Sequence, residues 1–165
     1  MKNKITLLKF EIINTIFILL FGFLSHYLYD LFNENILIGI ISPINESVWE
    51  HLKLVFFPTL VTIIIGYFYY KDLYHDYLKS KTIALIYALI FTVVSFYTYS
   101  GILGHHVLFI DILIFIISCL IIFIKSLKNC NGDFSNNILY FVILFIIFMM
   151  FLIFTFYPLN IGLFK

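Results

Sequence analysis

From Ser42 to Lys53 the chain reads Ser-Pro-Ile-Asn-Glu-Ser-Val-Trp-Glu-His-Leu-Lys. Asn45, Glu46, Trp49, Glu50, His51 and Lys53 set an amide, two carboxylates, an indole, an imidazole and an ammonium within nine residues. The surroundings are almost all Ile, Leu, Phe, Val and Tyr, and polar atoms withdrawn from water need partners. Imidazole and carboxylate are zinc ligands, and three of them with a water make a hydrolytic centre. Other segments carry the same chemistry. His26 and Asp30 lie four residues apart, so on a helix their side chains meet. His105 and His106 precede Asp111. The predicted metal ligands are His26, Asp30, His51 and one of the histidine pair, here His106. Glu50 or Glu46 is the predicted base on a metal-bound water, with Asp111 a further catalytic carboxylate. Asn45, Trp49, Lys53, Tyr97 and Thr98 are candidate ligand-binding groups. Neither HExxH nor CxxC occurs, so the assignment rests on the gathering of residues rather than on a motif.

The elements that must position these groups are membrane helices. The 165 residues are 63% apolar and 12% charged, far from the balance of a soluble domain. Runs near 20 residues without charge predict transmembrane helices over about 8–32, 46–70, 82–101, 106–124 and 137–157. The fold class is an all-α polytopic membrane protein, a single bundle domain over 1–165. The first apolar run follows Lys2, Lys4 and Lys9 but is too long for a signal peptide and lacks a small-residue cleavage site, so it reads as a retained helix. Ser42-Pro43, or Ser47 with Glu50 as a capping box, starts the second helix. Pro58 kinks it and frees the carbonyl of Leu54. The link from Lys71 to Lys81 reads as a solvated loop, with His75 a surface residue. Cys119 and Cys130 have neither metal nor redox spacing. A net charge of +1 without a basic patch excludes a nucleic-acid partner.

Lysine placement orients the spans. Lys2, Lys4, Lys9, Lys71, Lys79, Lys81, Lys125 and Lys128 fall on one side, against Lys53 and Lys165 on the other. The positive-inside rule then gives N-in/C-out in the cell membrane. In that topology His26, His51, His105, His106, Asp30, Glu46, Glu50 and Asp111 meet at the outer end of the bundle. Glu11, Thr15, Gly22, Ser25, His26, Tyr29 and Asp30 share one face of the first helix, which must look inward.

The same stretch resembles a family of small bacterial integral membrane proteins of unknown function. Its mark is a run like Ser-Pro-Val-Asn-Glu-Ser-Val-Trp-Glu-His-Leu-Lys followed by Phe-Phe-Pro, here Phe56-Phe57-Pro58. Tyr97-Thr98-Tyr99-Ser100-Gly101, Asp111 and Phe154-Thr155-Phe156-Tyr157-Pro158 extend the likeness, while the tail after Pro158 departs from it. The resemblance implies a membrane fold and no set reaction. His26-x-x-x-Asp30 is also similar to the membrane hydrolases of the ceramidase type, without their second histidine pair at HxxxH spacing.

Three functions fit these residues. The first is a zinc-dependent membrane hydrolase acting on a lipid or other amphiphile. The second is a metal-free protein that binds or transports a small ligand or ion, for which so short a chain calls for a homo-oligomer. In the third, purely structural reading, Asn45, Ser47 and Glu50 cap a helix, Trp49 anchors at the interface, Lys53 snorkels and Asp111 bonds Tyr97 or Thr98. The first two imply membrane lipids as partners.

Overall fold

The computed structural model describes residues 2–164, with side chains from residue 5 onward. The elements are α1 (Lys2–Ser25), α2 (Leu28–Leu31), α3 (Ile36–Ile41), α4 (Val48–Tyr70), α5 (Tyr77–Leu103), α6 (Leu108–Asn129) and α7 (Asn137–Phe156), then a 3-10 turn at Gly162–Phe164. No strand occurs among the described residues. Five helices are long and apolar enough to cross a membrane: α1, α4, α5, α6 and α7. Their outward residues, such as Ile13, Leu20, Ile64, Phe145 and Ile146, are exposed, as lipid-facing positions must be.

α4 and α6 each pack against both α1 and α5, which makes a four-helix arrangement with α1 and α5 on one diagonal. α7 lies outside against α5, and its Phe148 and Phe151 rings reach Phe57 and Phe56 of α4. Small residues allow the close approaches, as they do in membrane bundles generally. A Cβ on Gly22 would stand 2.8 Å from the carbonyl oxygen of Leu54. That carbonyl is the one Pro58 leaves without its helical donor. The freed carbonyl and the missing side chain therefore meet where α1 crosses α4.

At the end away from His26 and His51, Lys81 Nζ lies 2.6 Å from Glu11 Oε2, and both side chains are buried. This ion pair spans the diagonal between α1 and α5. The link before it is also less solvated than its charges suggest. α5 starts at Tyr77, and Lys81 is the fifth residue of the helix rather than the end of a loop. Asp76 is buried because its carboxylate accepts the backbone N–H groups of Asn131 and Gly132 at 2.8 and 2.9 Å. His75 is exposed, as expected of a surface residue. Cys119 and Cys130 are buried free thiols. Burial, with Asp76 beside it, pushes the Cys130 thiol up to about 12.

The histidine end differs from expectation in its details. The first helix does not run to residue 32 but breaks between Ser25 and Leu28. The piece at 36–41 is a separate helix, α3. Pro43 is not a helix start: α4 begins at Val48, with Ser47 as N-cap accepting from Glu50 N. The lysines that supported the orientation divide as well. Lys9, Lys71, Lys79, Lys125 and Lys128 reach the surface at one end, whereas Lys53 and Lys81 are buried in ion pairs. The side chains of Lys2 and Lys4, and all of Lys165, lie outside the described residues.

Candidate metal centre

The stretch from Ser42 to Lys53 works as a clamp that holds two histidines together. Its base is the ion pair of Glu50 and Lys53, 2.6 Å apart and buried. Lys53 Nζ donates to the carbonyls of Gly39 at 2.7 Å and Ser42 at 3.3 Å. These belong to the C-terminal end of α3, where unpaired carbonyls favour a cation. Glu50 Oε2 accepts from Ile44 N at 3.0 Å, and Glu50 Oε1 accepts from Thr155 Oγ1 of α7 at 3.0 Å. Every oxygen and donor of the pair is engaged, so a buried charge pair is tolerable here. Glu50 is thus committed to α3, the 42–44 turn and α7. Lys53 does not snorkel but closes the same network.

The clamp fixes Ser42, and Ser42 breaks α1. Its hydroxyl donates to the carbonyl of Ser25 and accepts from Tyr29 N at 3.2 Å. In an unbroken helix Tyr29 N would donate to that same carbonyl, four residues back. The Ser42 oxygen is inserted into the ladder, a recognised cause of a sharp helix break. His26 sits at that break. Asn45 Oδ1 accepts from Ser47 N at 2.9 Å, an Asx turn that sends the next side chain, Glu46, outward.

Three groups then converge. His51 Nε2 lies 3.3 Å from His26 Nε2 and 3.3 Å from Glu46 Oε2. The ligand atoms of His26, Glu46 and His51 all fall within 4.8 Å of one another. His51 Nδ1 lies 2.9 Å from the carbonyl of Ser47. A carbonyl only accepts, so Nδ1 carries the proton and Nε2 offers a lone pair to the cluster. Metal-binding histidines are habitually held by such a bond from the other ring nitrogen. Two nitrogens on one tetrahedral zinc, at bonds of about 2.0–2.1 Å, stand about 3.3–3.4 Å apart. The observed separation matches.

Behind the cluster lies a cavity of about 460 Å³ lined by residues of α1, α4, α5 and α6. His26, Glu46, His51, His106 and Asp111 line its polar end, and Leu54, Val55, Phe96 and Phe115 are among its apolar walls. Tyr99 OH donates to Asp111 Oδ1 and accepts from Val107 N at 3.2 Å. Asp111 Oδ2 lies 3.5 Å from His106 Nδ1.

The whole chain, residues 1–165, fits a family described as a family of unknown function, DUF6512. The chain belongs to that family. No curated protein and no solved structure matches it.

In this DUF6512 member the expected residues divide into two groups. His26, Glu46 and His51 converge, and His106, Asp111 and Tyr97 line the same cavity. Asp30 is exposed on α2 and does not join the three converging groups. Thr98 Oγ1 donates to the carbonyl of Val94 on its own helix. Asp111 bonds Tyr99 rather than Tyr97 or Thr98. Trp49 is no interfacial anchor: its ring is buried against Phe151, Phe154 and Phe164. The 3-10 turn is thereby folded back onto α4. His105 is exposed, with Nδ1 near the carbonyl of Leu103 at 3.1 Å. Two positioning residues were not singled out from sequence: Ser42, visible only as a helix-start signal, and Tyr99, hidden in a run of hydroxyls.

Proposed function

We propose that this chain is a zinc-dependent membrane hydrolase whose substrate is an amphiphile with an apolar tail. The observation that carries the reading is the pair of imidazole nitrogens 3.3 Å apart, with a carboxylate oxygen 3.3 Å from one of them. They stand at the polar end of an otherwise apolar cavity. Two histidines, one carboxylate and a water are the donor set of a catalytic zinc centre. Zinc bound there would make its water a nucleophile near neutral pH.

The protein side of the chemistry follows from the hydrogen bonds. His26, Glu46 and His51 would hold the ion. Asp111, oriented by the Tyr99 hydroxyl, holds Oδ2 3.5 Å from His106 Nδ1, and both line the cavity. From the wall of the same cavity, the two would supply an acid–base pair for hydrolysis. Glu50 has no part in proton transfer, because both its oxygens are bound in the clamp. The chain lies N-in/C-out, a reading supported by the surface lysines Lys9, Lys71, Lys79, Lys125 and Lys128 gathering at the end opposite His26 and His51.

A second reading draws on the same contact. Without an ion, His26 Nε2–H can donate to His51 Nε2, and the cavity becomes a metal-free binding site for a small ligand. Purified protein separates the two. The hydrolase reading expects bound zinc and cleavage of ester or amide amphiphiles in detergent micelles that chelation abolishes and zinc restores. Stable protein that binds no zinc, or cleavage indifferent to chelator, rejects it.

A further inference from the structure

The cavity raises the question of how an amphiphile would enter it. Its walls are not all internal. Phe23 of α1 and Leu108 of α6 line it, yet both are exposed, at 42% and 69%. These two helices pack against each other. At this level Phe23 and Phe115 face each other across the seam, edge to face with ring centroids 5.1 Å apart. Gly22 provides the room: a Cβ there would come within 2.5 Å of Phe115 Cζ. No backbone hydrogen bond closes a seam between two helices, so its closure at this point rests on side-chain contact. Rings turn about their side-chain bonds far faster than helices separate.

The depth of the cavity points the same way. Along α6 it runs from Leu108 to Phe115, seven residues or about 10 Å at the helical rise. The polar groups stand at the end where α1 and α4 meet the 42–47 turn, and the apolar walls extend from there toward the bundle centre. A lipid in the adjacent leaflet has the same order of parts: polar head at the surface, hydrocarbon inward.

We propose that the cavity is an acyl-chain site loaded sideways from the leaflet on the histidine side, through the seam between α1 and α6, with the Phe23–Phe115 pair as its gate. The occupant is one hydrocarbon chain of a membrane lipid, whose polar linkage then rests beside His26, His51 and Glu46. The inference deepens the hydrolase reading by naming the substrate class and its route, but the route stands without the metal.

The test uses the full chain in phospholipid vesicles doped with a phosphatidylcholine that carries a photoactivatable group within one acyl chain. After illumination, labelled peptides are mapped by mass spectrometry, and zinc content is measured on the same preparation. Labels on Leu54, Val55, Phe115 or Thr92, which line the cavity, are the expected result. Phe23→Ala removes a half-exposed ring outside the core and should speed labelling of those residues. Labels confined to outward positions such as Ile13, Leu20 and Phe145 overturn the proposal. Cavity labelling at an unchanged rate in Phe23→Ala also overturns the gate. Cavity labels without bound zinc support the acyl-chain site and sink the hydrolase; zinc without cavity labels does the reverse.

Discussion

Replacing Ser42 with alanine removes a single oxygen that joins the 42–47 turn to the break in α1. The hydroxyl donates to the Ser25 carbonyl and accepts from Tyr29 N, and Ser42 and Ser25 are buried. Two responses are open to the variant. If the break persists, a carbonyl and an N–H lose their partner away from water, at about 1–3 kcal/mol each. If the ladder closes, Tyr29 N bonds the Ser25 carbonyl directly and the stability returns. The helix then continues through His26 and turns its ring away from His51. In both cases the 3.3 Å approach of the two imidazoles loses its support. Loss of a group that orients a ligand typically weakens metal binding about 10–100-fold, or about 1.4–2.8 kcal/mol. Zinc titration against a competing chelator, on detergent-purified protein, measures this directly. Ser42→Thr keeps the hydroxyl and should bind more tightly than Ser42→Ala. A Ser42→Ala protein with wild-type zinc affinity and thermal stability would refute the claim that this oxygen positions His26.

Other substitutions probe the remaining links. Glu50→Ala leaves the Lys53 ammonium buried without its partner, so unfolding in detergent should show a loss of about 3–5 kcal/mol; a loss below about 1 kcal/mol would mean that the clamp does not hold the turn. Gly22→Ala drives a methyl against Phe115 and the Leu54 carbonyl, and the denaturation midpoint should fall by the equivalent of about 1–3 kcal/mol. Cys130 should resist a maleimide at neutral pH and react on unfolding. Its thiol is pushed up to about 12 by burial and by Asp76, so the thiolate is scarce in the folded protein until strongly alkaline pH. Rapid labelling of the native protein at neutral pH would contradict the tight packing of the 130–132 turn on Asp76.

The spans were legible because hydrophobic length alone defines them, and α7, with no acidic or basic side chain, agrees within a residue. The end of α1 was not legible. Nothing local in Ser25-His26-Tyr27-Leu28 stops a helix; the break depends on a serine seventeen residues away. The start of α5 was missed for a related reason. Lys79 and Lys81 look solvated in one dimension, and only the diagonal contact with Glu11 draws Lys81 inside. The same blindness shaped the reading of the site. Composition pointed to the motif and to the helix ends that carry histidines. It could not tell Glu46 from Glu50, which lie four residues apart with similar chemistry. Their roles separate only through partners from other segments: Lys53, Ile44 and Thr155 for Glu50, and His51 for Glu46. Asp30 was favoured by its helical spacing from His26, and the break at 25–28 removes that spacing.

The most direct test of the metal centre is the zinc content of the folded wild-type chain beside His26→Ala, Glu46→Ala and His51→Ala, each checked for monodispersity and thermal unfolding. The geometry predicts about one zinc per wild-type chain. It also predicts sharply reduced occupancy in His26→Ala and His51→Ala, a smaller loss in Glu46→Ala because that side chain is 83% exposed, and little change in melting for all three. A folded wild-type protein that retains no zinc, or a His51→Ala variant that holds zinc as well as wild type, would contradict it.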